Sequence, residues 1–274
     1  MVNEILCSIG ALVGRPNGCD WTLLKDFTRH LKFSGYEFMM SSKWYDHVDE
    51  IVMFLKNEGI KTPVYHCQKS IGEAISKGDP DSLKDAFYRY EINVKMAHDL
   101  GASKLVMHLW DGMTSDAYFE NNLKAYPSLK EIADSYRVDL LIENVVCNVK
   151  NPFERWCELV KNYPDIGFIF DTKMAAFHGQ LELLYTPEYE WLWKDGHIRH
   201  YHVNDYGGGI MDWENLRTLP IGKGHIDFDR FFSFIEKIGY TGSFTLESTA
   251  FNKEGTVDLE MLNRQWYLIS RYPG

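Results

Sequence analysis

No run in the sequence approaches the roughly 18 consecutive apolar residues that a bilayer-spanning helix needs, so no transmembrane segment is expected. The apolar stretch within MVNEILCSIG is too short for a secretory leader and no basic region precedes it. The five cysteines (Cys7, Cys19, Cys67, Cys147 and Cys157) are odd in number and include no CxxC pair, so neither a disulfide framework nor a thiolate zinc site is implied. A reducing, cytoplasmic setting is the expectation. Positive charge is in deficit, with 29 Lys and Arg against 39 Asp and Glu, a formal net charge of −10. Such a surface repels phosphate backbones and anionic lipid, and the basic residues are scattered, so neither a nucleic acid nor a membrane is expected as a partner. The pattern GxGxxG is missing as well. The first strand-to-helix turn reads IGALVGRPNG, which weighs against a dinucleotide-binding open sheet. No linker rich in Pro, Gly or Ser divides the 274 residues, and one domain covering 1–274 is expected.

What the sequence does contain is an end-to-end alternation of strand-like and helix-like segments. Strands are expected at ILCSIG, GYEFMM, TPVYHC, KLVMHLW, DLLIEN, IGFIFD, IRHYHVN and GSFTLE. Helices are expected between them: WTLLKDFTRHLKF behind the cap Asp20, 46–57, 80–100 opened by Asp79-Pro80 and closed by Gly101, 118–136 with Pro127 inside, and a helix opened by Asn151-Pro152. An aromatic-rich, partly helical region runs to Trp193, followed by helices at 227–238 and 257–270. Eight strands alternating with helices over this length predict a (β/α)8 barrel, the TIM barrel of the α/β class. The aromatic stretch from Tyr185 to Trp193 suits either the core or the interface of a homo-oligomer.

Four of the apolar runs stop at a metal-binding side chain: Glu143, Asp171, His202 and Glu247, on the fifth to eighth strands in order. Barrel enzymes place their chemistry at the C-terminal ends of strands. A strand buried on both faces has little use for a carboxylate unless something at its end requires one. Each residue alone could instead cap a helix or pair with a lysine. Together they predict one divalent cation, Mn, Mg, Co or Zn, held by three carboxylates and an imidazole. His66 and His108 also end strands and are expected to touch substrate hydroxyls, a second metal being the other option. His200 shares a strand face with His202, but His202 is nearer the tip and the better ligand. Lys173 is placed to hold a carbonyl or phosphate oxygen. Arg217, with Lys223 and His225 in LRTLPIGKGHIDF, flanks a long loop suited to an anionic or polyhydroxylated substrate.

These motifs give the chain a recognisable cast. LLIEN, FDT, HVND and above all LPIGKGHIDFDRFFSFIEKIGYTGSFTLES resemble the xylose isomerase-like sugar phosphate isomerase/epimerase family, which is related to the apurinic endonucleases. The resemblance covers nearly the whole length. It implies Glu143, Asp171, His202 and Glu247 as metal ligands, and a carbohydrate as the small-molecule substrate. Met174 stands where many epimerases and the endonucleases carry a histidine, which argues against a full epimerase-type substrate clamp and against a trinuclear zinc site. The expected reaction moves a proton beside a ketose carbonyl, with Glu143 and Glu247 as the proton-transferring pair. Dehydration of a keto-polyol, phosphodiester cleavage on the same metal, and sugar binding without catalysis are the alternatives.

Overall fold

The structure, a computed structural model, describes residues 3–110 and 115–272. Eight parallel strands close on themselves in sequence order: β1 (Ile5–Ser8), β2 (Gly35–Met39), β3 (Val64–His66), β4 (Lys104–Met107), β5 (Asp139–Glu143), β6 (Gly167–Asp171), β7 (Ile198–Val203) and β8 (Phe244–Leu246). Pairing of β1 with β8 completes the ring. The expected (β/α)8 barrel is therefore what forms. Around it lie α1 (Leu24–Arg29), α2 (Val48–Asn57), α3 (Ser70–Ser76), α4 (Pro80–Leu100), α5 (Phe119–Ser135), α6 (Pro152–Asn162), α7 (Thr172–Phe177), α8 (Trp191–Lys194), α9 (Phe228–Lys237) and α10 (Leu259–Ile269).

The helices start where the sequence supplies caps. The side chains of Asp79, Asn151, Asp227 and Asp258 each accept the main-chain N–H three residues on, a contact worth about 1 kcal/mol per helix. Two expectations change in detail. The first helix ends at Arg29 rather than running to Phe33. Beyond it, Asn263 takes both the His30 carbonyl and the Lys32 N–H, turning the chain onto α10. Pro127 neither divides nor ends α5. The Leu123 carbonyl, which a residue with an N–H at position 127 would satisfy, instead accepts the Tyr163 hydroxyl at 2.8 Å.

Alternation along each strand separates two cores. Outward side chains pack against helices: Trp156 of α6 stacks on Phe168 with ring centroids 4.3 Å apart, and Tyr201 meets Phe231 and Tyr240. The aromatics between Tyr185 and Trp193 pack on the chain itself. Tyr185 and Trp193 lie against Phe234, and Trp191 lies against His197. Inward side chains of β1, β3, β4, β5 and β6 (Leu6, Val64, Val106, Leu141 and Ile169) form a separate buried cluster inside the barrel. Above that apolar layer, toward the strand ends, the interior becomes polar.

Candidate functional site

The register brings four strand ends to one place. Asp171 is level with His202 across β6 and β7, and His202 is level with Thr245, two residues before Glu247. Glu247 and His108 sit just past the ends of β8 and β4 rather than within them. One donor atom from each of Glu143, Asp171, His202 and Glu247 lies within 4.8 Å of all the others. The four residues that end apolar runs in the sequence thus form one cluster, in which Glu143 is 2 % exposed and Asp171 and His202 are fully buried.

Glu143 is the centre of the contacts. Its Oε1 is 3.1 Å from His202 Nδ1; its Oε2 is 2.8 Å from His108 Nε2 and 3.3 Å from His66 Nε2. His66 Nδ1 lies 2.7 Å from the Cys67 carbonyl oxygen, which can only accept, so Nδ1 carries a proton and Nε2 faces Glu143. Glu247 Oε1 is 3.7 Å from His202 Nδ1 and has no hydrogen-bond partner although it is buried.

Two asparagines that the sequence reading passes over hold this geometry. Asn144, the last residue of LLIEN, accepts the Asp171 N–H through Oδ1 and donates to the Asp171 carbonyl through Nδ2, joining the ends of β5 and β6. Asn204 of HVND donates to Asp171 Oδ2 at 2.8 Å and accepts the Lys173 N–H. Asp171 Oδ1 accepts from Met174 N, so this carboxylate also caps α7. Glu37 in the middle of β2 is the largest omission. Fully buried inside the barrel, it places Oε2 2.9 Å from His202 Nε2.

The electrostatics follow from burial and crowding. Burial pushes the Glu143 carboxyl up, but the charges and hydrogen bonds of His202 and His108 outweigh it and hold it well below the usual carboxylate range. Burial opposes charge on His202, yet Glu37, Glu143 and Glu247 together lift it well above the usual imidazole value. Asp171 is moved upward chiefly by burial; Lys173 opposes the shift, while Glu143 and Glu247 add to it. Carboxylates this close disfavour one another's ionisation unless a cation stands among them.

Beside the cluster is a cavity of about 150 Å³, lined among others by Ser8, Lys69, Lys173, Thr218, Glu247 and Ser248. Lys173 is nearly buried and its Nζ lies 3.0 Å from the Thr218 hydroxyl. Arg217, the neighbour of Thr218, is exposed on the loop after β7 and lies outside the cluster. A larger depression of about 580 Å³ between α5 and the turn before β6 holds none of the histidines.

The loop after β7 is fixed by Asp205, whose carboxylate accepts four main-chain N–H groups, from Tyr206, Gly222, Gly224 and Ile226. Gly224 is obligatory there, since a Cβ would stand 2.2 Å from the Tyr206 carbonyl oxygen. This geometry accounts for PIGKG following HVND in the sequence.

Known proteins share this architecture. A curated relative, the L-ribulose-5-phosphate 3-epimerase UlaE of Salmonella paratyphi A, is 24% identical over 187 residues, 63% of this chain and 59% of its own length. The match thus spans less than two thirds of that enzyme. The crystal structure of a D-tagatose 3-epimerase-like protein superimposes with a TM-score of 0.70 at 17% identity, covering 98% of this chain and 96% of that one. An IOLI protein with a binding zinc atom superimposes with a TM-score of 0.67, also at 17% identity, covering 98% of this chain and 99% of that one. At such identities the structural likeness concerns the fold. The sequence profile described as "Xylose isomerase-like TIM barrel" matches residues 26–265, and with the closed barrel this means that the chain belongs to the xylose isomerase-like TIM barrel family.

Proposed function

We propose that the protein is a metal-dependent isomerase or epimerase that moves a proton next to the carbonyl of a ketose or ketose phosphate. The observation that carries this reading is the convergence of Glu143, Asp171, His202 and Glu247 at the mouth of the barrel, with donor atoms within 4.8 Å of one another. Three carboxylates and one imidazole are a donor set for Mn, Mg, Co or Zn, and the unpartnered, buried Glu247 Oε1 fits a ligand oxygen awaiting its cation. A divalent ion held there would polarise the carbonyl and a neighbouring hydroxyl of the sugar and favour the enediolate.

The chain's own residues then supply proton transfer and orientation. Glu143 and Glu247 come from strands on different sides of the mouth, so that one removes the proton and the other returns it. Transfer on opposite faces of one carbon gives epimerisation; transfer between adjacent carbons gives aldose–ketose isomerisation. His108 and His66, both directed at Glu143 Oε2, would meet substrate hydroxyls. Lys173, beside Thr218, would take an oxygen of the substrate, and Arg217 would reach it from the rim. The activity named for the UlaE relative supports this reaction class. The net charge of −10 weighs against phosphodiester cleavage in DNA.

The test is exchange with solvent. Protein loaded with manganese or zinc and incubated in heavy water with a panel of ketoses and ketose phosphates should place deuterium on the carbon next to the carbonyl without loss of water. Deuterium appearing with loss of water would point to a dehydratase. No exchange with any member of the panel would defeat the proposal.

A further inference from the structure

Glu37 is a carboxylate in the core of a barrel whose neighbouring interior positions are Leu6, Val64, Val106 and Leu141. A fully buried carboxylate costs several kcal/mol unless its oxygens are well used. Here Oε2 receives two donors, the Thr245 hydroxyl at 2.8 Å and His202 Nε2 at 2.9 Å, while Oε1 is buried without a hydrogen-bond partner. The donor roles are fixed by chemistry. A carboxylate can only accept, so His202 Nε2 carries a proton. The Thr245 hydroxyl spends its single hydrogen on Glu37, and its oxygen then accepts from His200 Nε2 at 2.8 Å. Hydrogen bonds therefore run in one direction, from His200 through Thr245 to Glu37, and Glu37 receives His202 from the other side.

His202 Nε2 is turned to Glu37, and its other nitrogen, Nδ1, faces Glu143 Oε1 and Glu247 Oε1 at 3.1 and 3.7 Å; by the same rule Nδ1 donates to Glu143 until a cation takes the place of that proton. We infer that Glu37 is a positioning residue for the metal centre: it holds the His202 ring by its Nε2 proton, so that Nδ1 is the nitrogen turned toward Glu143 and Glu247 and the one a cation would engage. The inference rests on the metal reading of the site and goes beyond it by adding a residue outside the set of four ligands. A carboxylate behind a ligating histidine also raises the donor strength of the ring, and losing such a partner typically lowers metal affinity 10–100-fold.

The experiment is a titration of the whole protein with zinc alone, in competition with a chromophoric chelator. It compares the parent with Glu37→Gln, which keeps shape but removes the charge, and with Thr245→Val, which keeps the charge but removes the hydroxyl behind it. Circular dichroism and a melting curve of each metal-free variant establish that it is folded. Glu37→Gln should lose about 10–100-fold in zinc affinity and Thr245→Val a smaller, several-fold amount. In the zinc-loaded parent, nitrogen-15 spectra should show His202 protonated on Nε2 and coordinated through Nδ1, and Glu37→Gln should shift that Nε2 proton signal. A folded Glu37→Gln protein that binds zinc within twofold of the parent overturns the role of Glu37 and leaves the metal site standing. A zinc-loaded parent coordinated through Nε2 does the same. A parent that binds neither zinc nor manganese overturns the metal reading itself, and this role with it.

Discussion

Gly72 lies against the main chain of His108 so closely that a Cβ at Gly72 would stand 2.2 Å from the His108 carbonyl oxygen and 2.6 Å from that of Leu109. Asn122 of α5 closes the same corner by donating to the carbonyls of both Gly72 and Leu109. The end of β4, and with it the imidazole that meets Glu143, is thus set by contact with α3. Gly72→Ala should cost about 3 kcal/mol in urea unfolding, as overpacked backbone contacts do, and should lower turnover by displacing His108. Unchanged stability would mean that α3 can move away freely.

Glu143→Gln and Glu247→Gln should each lower turnover by about 10²–10⁴-fold while the far-ultraviolet circular dichroism stays that of the parent. Activity retained in both variants would remove these carboxylates from the chemistry.

Asp205 gathers four N–H donors onto one carboxylate. Asparagine offers only one acceptor oxygen and turns a donor toward the remaining N–H groups. Asp205→Asn should destabilise the protein by about 2–4 kcal/mol and make the segment 207–224 the first site of cleavage under limited proteolysis. A digestion pattern identical to that of the parent would show that the loop is held by other contacts.

His178 provides a pH dependence separate from the strand-end cluster. Half-buried at the end of α7, it accepts the Cys147 N–H through Nε2, and burial lowers its pKa to about 4. In the unfolded chain an imidazole titrates near 6.5, so between these values the unfolded state binds the extra proton. Stability is therefore full above about pH 6.5 and is lost as pH falls toward 4, by about 2 kcal/mol between pH 7 and pH 5 from this group. His178→Gln keeps an acceptor for Cys147 and should lose about 2 kcal/mol less than the parent over that interval in urea unfolding. Equal losses would assign the acid sensitivity to other groups, His200 among them, which burial also lowers to about 4.

The barrel and its cluster are legible in the sequence for one physical reason. Strands buried on both faces read as apolar runs, and a carboxylate or imidazole at the end of such a run stands out. Glu143, Asp171, His202 and Glu247 all do so. Glu37 does not, because it lies within GYEFMM and a single charge inside a strand is ordinarily a residue turned to water. Only a closed barrel removes that option, since every alternate residue then faces either the interior or a helix. Once the barrel is accepted, a glutamate between the buried Tyr36 and Phe38 has to point inward, and that signal was available. Helix α3 is hidden for the opposite reason. Its Gly72 weakens helix propensity and is there for the close approach to His108, a requirement that arises only in three dimensions. Asn144 and Asn204 look like ordinary loop-opening residues until the strand ends they join are side by side.

The five apolar side chains inside the lower barrel have a consequence for traffic. Leu6, Val64, Val106, Leu141 and Ile169 make a dry floor of side chains that are at most 1 % exposed. The barrel is therefore a cup, and whatever reaches Glu143 enters and departs through the same doorway. Newcomer and departing molecule must take turns there, and the loop tied down by Asp205 forms part of the doorframe.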